Sequence, residues 1–152
     1  HPGMKDPALA ALAGARRLEG QLGAAPIGGG AGYAAFAAAY AARTGRAPEA
    51  SAAHAYDAVM LAALAMAKGK ANTPEALRAH LVAVSREGAP AEGRGATGFK
   101  AAVAAMRAGR AVAYDGASGP LDLDDRGSAR SDYVIWRWQD GRPIDTPRRL
   151  RF

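Results

Sequence analysis

Apolar residues recur at helical spacing through the first two thirds of the chain, and the longest such segment runs from about Glu49 to Lys68. Residues three and four positions apart share one face of a helix, so the apolar positions of this segment form one broad stripe. The stripe consists of Ala52, Ala53, Tyr56, Val59, Met60, Ala63, Leu64 and Ala67. Its many small side chains permit close approach of neighbouring backbones, which predicts that this helix is central and buried.

Capping and breaking residues predict further helices before Gly109. A strong start signal at Thr73-Pro74-Glu75 opens one helix that carries Leu77, Leu81 and Val84 inward. The others are a short helix from about Ala8 to Ala15, a helix with Tyr33, Phe36 and Tyr40 that ends at Thr44-Gly45, and a helix from about Gly98 to Ala108. Between them, the sequence predicts a brief strand-like passage over residues 17–23 and a loop over residues 88–98.

After Gly109 the pattern changes to short segments of alternating character, which is typical of β-strands. Leu121 and Leu123 alternate with aspartates, and the run from Tyr133 to Gln139 is rich in aromatic and β-branched residues. Asp140-Gly141 is a favourable hairpin turn before a short continuation over residues 142–144. The predicted fold class is therefore α/β, helix-rich to Gly109 and mainly β afterwards.

Length and composition narrow the class of protein. A chain of 152 residues is long enough for one compact domain with a real core. With no cysteine, it has no disulfide, no thiolate zinc site and no thiol nucleophile. No run of about 18 apolar residues lacks a charge, so no membrane span is predicted. The opening His1-Pro2-Gly3 has no initiator Met and no signal-peptide pattern, so we expect the chain to be an internal part of a longer protein.

The formal net charge of +6 raises the question of nucleic-acid binding, because a basic patch is the footprint of phosphate recognition. The basic residues are nevertheless scattered singly along the predicted helices. The one cluster, Arg142 with Arg148, Arg149 and Arg151, lies in a proline-containing tail. This distribution favours a solvated surface, and no nucleic-acid partner is predicted.

Four short patterns resemble reactive or ion-binding sites, and each departs from its motif. Gly28 to Gly32 precedes a helix but fits no phosphate-binding fingerprint. Gly116-Ala117-Ser118-Gly119-Pro120 is similar to a nucleophile elbow until its fifth position, so Ser118 is interpreted as a turn hydroxyl. The aspartates from Asp122 to Asp125 lack the glutamate of a calcium loop. His54 and His80 lie on different predicted helices without metal-ligand spacing.

Two pairs remain with open interpretations. Tyr56-Asp57 is either a binding pair or, as we favour, a packed tyrosine beside an aspartate that is hydrogen-bonded near the helix start. Trp136 and Trp138 either stack on a ligand or, as we favour, fill the edge of a core. No catalytic group, cofactor site or metal site follows from these residues, so the sequence predicts that the protein is not an enzyme.

The order of several motifs resembles the C-terminal part of the periplasmic Leu/Ile/Val-binding proteins, which capture amino acids or related solutes for ABC transporters. The matching elements are Leu18-Glu19-Gly20, Phe36 and Tyr40, Gly45, Pro48, Tyr56-Asp57-Ala58, Gly109-Arg110, Tyr114 to Gly119, Leu121 to Asp124, Gly127 and Tyr133 to Gly141. The resemblance implies a type I periplasmic-binding-protein fold of two α/β lobes, with a solute in the cleft between them. Residues 1–152 would then be the C-terminal part of a periplasmic or extracellular lipoprotein whose partner is a membrane permease.

The resemblance also implies a contact between the solute and the entry to the Tyr56 helix, around Ser51. His54 is interpreted as a surface or cleft-edge histidine and is the second candidate ligand-binding residue. Ser51 is small where some relatives carry an aromatic residue, which argues against branched-chain specificity and permits a bulkier solute. Two other functions stay open: a ligand-sensing regulator on the same fold, and an autonomous helical interaction module. We also expect the chain by itself to cover exposed apolar surface by self-association or domain swapping.

Overall fold

The computed structural model describes residues 2–27, 31–49, 51–91 and 95–150. A short 3-10 helix at Pro2–Lys5 precedes the other elements. In chain order these are α1 Leu9–Ala13, α2 Ala15–Leu18, β1 Leu22–Pro26, α3 Ala31–Thr44, α4 Ala52–Gly69, α5 Pro74–Arg86, β2 Ala89–Ala91, α6 Gly95–Arg107, β3 Val112–Tyr114, β4 Tyr133–Gln139 and β5 Arg142–Leu150. The predicted change from helices before Gly109 to strands after it is confirmed.

The chain forms two compact units where its length had predicted one. A terminal unit combines the residues up to Ile27 with those from Ser131 onward, and a middle unit contains the residues between them. Each unit has an apolar cluster of its own, which explains why a single core does not form. The chain therefore passes from one unit to the other twice, after Ile27 and after Arg130.

The terminal unit is built on an antiparallel sheet with the strand order β1-β4-β5. The predicted strand from Tyr133 to Gln139 is its central strand, and positive φ angles at Asp140 and Gly141 form the predicted tight turn. Inward-facing side chains of β1 and β4 pack on α2 in a cluster of Leu18, Ala25, Val134, Trp136 and Trp138. The interpretation of both tryptophans as core residues is confirmed, since they are 2% and 0% exposed.

The middle unit packs α4, α5 and α6 around a short parallel sheet of β2 and β3. Ala89 pairs with Val112 and Ala91 with Tyr114, so both strands end at the same edge of the sheet. The buried cluster consists of Leu61, Leu64, Ala65, Val84, Ala102, Val112, Tyr114 and Leu123. Helices on a parallel sheet are the arrangement expected of an α/β fold.

Local signals place the helix ends well. Thr73 accepts a hydrogen bond from the Ala76 N–H at 3.2 Å and begins α5, as predicted. Gly45 has a positive φ angle directly after α3, also as predicted. Helix α4 is central, but its buried face is rotated from the predicted stripe. Val59 is 68% exposed, whereas the polar Asp57 is buried.

Two strand predictions and one loop prediction are wrong in position. Residues 15–18 are helical, and the strand begins only at Leu22, because Leu18 packs inward as part of α2. The predicted loop over residues 88–98 contains β2 and the start of α6. The segment around Leu123 is not a strand. The backbone N–H of Leu123 instead donates a hydrogen bond to the Ser85 hydroxyl at 3.2 Å, which is not part of a strand pairing.

The predicted basic tail is an ordered edge strand. Arg142, Arg148 and Arg149 lie in β5, while Arg151 is outside the described residues. Prolines at positions 143 and 147 are compatible with this strand because one side of an edge strand needs no partner. Within the described ranges, no helix combines the length and apolar character needed to cross a bilayer.

Candidate functional site

The first half of α4 lies at the carboxyl edge of the parallel sheet. The Tyr56 hydroxyl accepts a hydrogen bond from the backbone N–H of Gly95, which is the first residue of α6 and follows β2. Asp57 accepts one from the hydroxyl of Tyr114, the last residue of β3. In open α/β sheets, ligands bind outside the carboxyl ends of the strands. We therefore take the start of α4, with Gly95 and the loop that follows β3, as the candidate site.

Asp57 anchors the loop that follows β3. Its Oδ1 accepts hydrogen bonds from the Tyr114 hydroxyl at 2.6 Å and the Ala117 N–H at 2.7 Å. Its Oδ2 accepts from the Ser118 N–H at 2.7 Å and the Ser118 hydroxyl at 2.6 Å. Four donors satisfy a carboxylate that is only 1% exposed, which offsets the cost of burying it. Asp57 is thus hydrogen-bonded as expected, but to this loop and not near its own helix start.

Gly116 allows the loop to approach Asp57. A Cβ atom at this position would lie 2.7 Å from Asp57 Oδ2 and 2.8 Å from the Gly119 carbonyl oxygen, closer than real contacts allow. The interpretation of Ser118 as a turn hydroxyl agrees with its hydrogen bond to Asp57. The Gly-Ala-Ser-Gly pattern therefore serves a tight loop around a buried carboxylate.

Ser51 directly precedes α4, and His54 lies in the first turn of this helix. Ser51 occupies the N-cap position and is exposed, yet its side chain makes no capping hydrogen bond. His54 is half-buried, and its Nδ1 is a buried atom with no hydrogen-bond partner in the described part of the chain. Buried polar atoms usually have partners, so His54 Nδ1 is an exception near the start of α4.

The other candidate residues lie elsewhere or have structural partners. His80 is on α5 and packs against Gly69 at the far end of α4, about 27 Å of helix away from Ser51. Asp124 accepts from two backbone N–H groups of its own turn, and Asp125 forms an ion pair with Arg86. Across the described ranges, no three His, Cys, Asp or Glu side chains converge on a possible metal site. The Gly28–Gly30 part of the glycine-rich loop lies outside the described residues.

Tyr56 has a role that the sequence did not predict. Periodicity predicts only that its ring is packed, and the ring does contact Phe36, with centroids 5.3 Å apart. Its hydrogen bond to Gly95 joins positions 39 residues apart, so no local spacing could indicate it. The Tyr-Asp pair and the Gly-Ala-Ser-Gly pattern were the available signals in the sequence. Neither indicates which distant residue it contacts.

Comparison with known proteins identifies the family. The profile of the receptor family ligand binding region matches residues 10–141, which include the whole candidate site. The chain belongs to this receptor family. A solved structure agrees in fold: the leucine-binding protein LivK of Thermotoga maritima superposes on 97% of this chain with a TM-score of 0.62 and 18% sequence identity.

The chain spans 35% of the length of LivK. Its fold is therefore that of a segment of a type I periplasmic-binding protein. A search of curated protein sequences gives no significant match. The predicted resemblance and the predicted fold class are both confirmed. The family profile describes a ligand-binding region, and the structural neighbour is a leucine-binding protein.

Proposed function

We propose that the protein is the solute-binding component of an ABC importer and holds an amino acid or a similar small polar solute between two lobes. The observation that supports the proposal is that Ser51 is the N-cap of α4 and that His54 Nδ1, in the first turn, has no hydrogen-bond partner among the described residues. Both residues lie in a chain of the receptor ligand-binding family. The hydroxyl of Ser51 and the ring nitrogen of His54 supply polar contacts to the solute.

Residues 1–152 form the C-terminal part of that protein, and the remainder supplies the opposite wall of the site. This is supported by the extent of LivK that the chain leaves uncovered. A solute held by one wall would keep its charged groups half desolvated and unpaired, so the 152-residue chain by itself binds solutes weakly. In the complete protein, contacts with both lobes favour the closed state.

We propose no catalytic role and no cofactor or metal for this site. The hydroxyl of Ser118, the residue most similar to a nucleophile, donates a hydrogen bond to Asp57 and stabilises the turn. Closure around a polar solute needs only complementary hydrogen bonds and shape from both walls of the site.

Ser51→Phe tests the pocket in the complete protein. The added ring narrows the space at the start of α4, so we expect the ratio of dissociation constants between large and small amino acids to change by about tenfold or more. Isothermal titration calorimetry across an amino-acid panel measures that ratio. Ala79→Phe, on the exposed side of α5, adds the same ring elsewhere and should leave the ratio unchanged. An unchanged ranking in Ser51→Phe would remove Ser51 from the pocket.

Cell fractionation separates the importer from its closest alternative. A solute-binding lipoprotein that delivers its cargo to a membrane permease is exported, so we expect the complete protein in the periplasmic or extracellular membrane-anchored fraction. Recovery in the cytoplasm would instead favour a ligand-sensing regulator on the same fold.

We also propose that the chain by itself associates through the outward face of the terminal sheet. On this face Leu22, Arg137 and Ile144 form one cross-strand row, and the two apolar side chains are 68% and 41% exposed. Exposed apolar rows next to edge strands favour association. Light scattering of the 152-residue chain should show dimers or larger species, and Leu22→Lys with Ile144→Lys should reduce them. A monodisperse monomer that binds no hydrophobic dye would contradict the proposal.

A further inference from the structure

Tyr56 connects three helices at the carboxyl edge of the middle unit. Its ring lies 5.3 Å from that of Phe36 on α3, measured between centroids. Its hydroxyl oxygen is 2.6 Å from the backbone nitrogen of Gly95, which begins α6. Asp57, the next residue along α4, is fixed to the loop after β3. Tyr56 is therefore held on a rigid part of α4 and ties the start of α6 to it.

The backbone conformation of Gly95 makes this hydrogen bond important for the start of α6. Its φ angle of +64° lies in the left-handed region, which few residues other than glycine adopt. The first N–H groups of a helix have no partner within the helix, and Gly95 is the first residue of α6. The Tyr56 hydroxyl satisfies its N–H group and so fixes where α6 begins.

We propose that Tyr56 is a positioning residue of the solute site, which acts by holding the first turn of α6 at the carboxyl edge. The inference rests on the proposed function, because a positioning role requires a bound solute. The ring supplies packing against Phe36, and the hydroxyl supplies the alignment of Gly95. These two contributions are separable by substitution, since phenylalanine keeps the ring and loses only the hydroxyl.

The size of the effect follows from the loss of one hydrogen bond at the site. Without the Tyr56 hydroxyl, the start of α6 samples more positions, and only some of these positions are competent to bind the solute. A contact of this kind changes an equilibrium by about three- to tenfold. We expect the dissociation constant of the best solute to rise by that factor in Tyr56→Phe.

The experiment uses the complete protein with two matched variants, Tyr56→Phe and Tyr40→Phe. Tyr40 belongs to the same aromatic cluster, with its ring centroid 5.7 Å from that of Phe36. Within the described residues, its hydroxyl makes no hydrogen bond. Calorimetry with the best amino acid of the panel measures affinity. Hydrogen exchange at the Gly95 amide, followed by NMR on protein with isotope-labelled glycine, measures the tie itself. Thermal melting reports the structural contribution of the ring.

In Tyr56→Phe we expect weaker binding, faster exchange at Gly95 and little change in melting temperature, whereas Tyr40→Phe should match the wild type in all three. Unchanged affinity in Tyr56→Phe, with wild-type protein that does bind, would overturn the positioning role and leave the proposed function standing. Unchanged hydrogen exchange at the Gly95 amide would show that the Tyr56 hydroxyl does not hold the start of α6, whatever the affinity. A wild-type protein that binds no solute of the panel would instead overturn the proposed function, and the binding role of Tyr56 with it.

Discussion

Asp57→Ala is expected to lower the free energy of unfolding of the middle unit by about 3–5 kcal/mol. The substitution removes the acceptor of the buried Ala117 N–H and of the Ser118 N–H. A buried donor that loses its acceptor costs about 1–3 kcal/mol, and alanine is too short to restore either bond. Urea titration followed by far-UV circular dichroism measures the change.

Asp57→Asn separates the charge and geometry of the carboxylate from its size. An amide has one acceptor oxygen, so its NH2 group faces either the Ala117 N–H or the Ser118 N–H. We expect a loss of about 2 kcal/mol from this donor-to-donor contact. Asp122→Asn makes the same chemical change at an exposed carboxylate and should have almost no effect. If the free energy of unfolding of Asp57→Ala lay within about 1 kcal/mol of the wild-type value, Asp57 would not anchor the loop.

Trp138→Ala is expected to lower the free energy of unfolding of the terminal unit by about 3–5 kcal/mol. The side chain is fully buried in the cluster against β1 and α2, and its Nε1 donates to the Met4 carbonyl at 3.0 Å. Its removal leaves a cavity and also the Met4 carbonyl without this donor. Far-UV circular dichroism is the appropriate probe, because the substitution changes the tryptophan fluorescence.

Two controls define what Trp138 contributes. Trp138→Phe retains most of the apolar volume and loses the Nε1 hydrogen bond, so its cost should be about half that of the alanine variant or less. Leu12→Ala removes an apolar side chain that is 85% exposed and should change stability by about 0.5 kcal/mol at most. Equal effects of Trp138→Ala and Leu12→Ala would show that the terminal unit has no cooperative core.

The helices were predictable because their signals are local. Thr73-Pro74 begins α5 through a bond that spans only three residues, and the glycine after α3 ends that helix by its own backbone conformation. The hairpin at Asp140-Gly141 is equally local. The short strand β2 was missed because Ala89–Ala91 has no strand-forming side chain. Only its pairing with β3 makes it a strand.

The candidate site shows the limit of local signals more clearly. The resemblance to Leu/Ile/Val-binding proteins pointed to Ser51, which is the N-cap of α4, and His54 lies in the first turn of the same helix. Their contact with a solute stays a prediction. The partners of Asp57 lie 57–61 residues further along the chain, and that of Tyr56 lies 39 residues away. No spacing within one segment encodes such pairs.

The sequence by itself determined the helix-to-strand order, the helix caps, the hairpin turn and the family, since each is expressed within a short stretch or in the order of short motifs. The tertiary structure alone decided the division into two units, the rotation of α4 that exposes Val59 and buries Asp57, and the joining of α4 to the start of α6 and the end of β3. The physical reason is that burial and hydrogen-bond partners depend on which distant segments meet. A buried carboxylate is stable only where donors from those segments surround it.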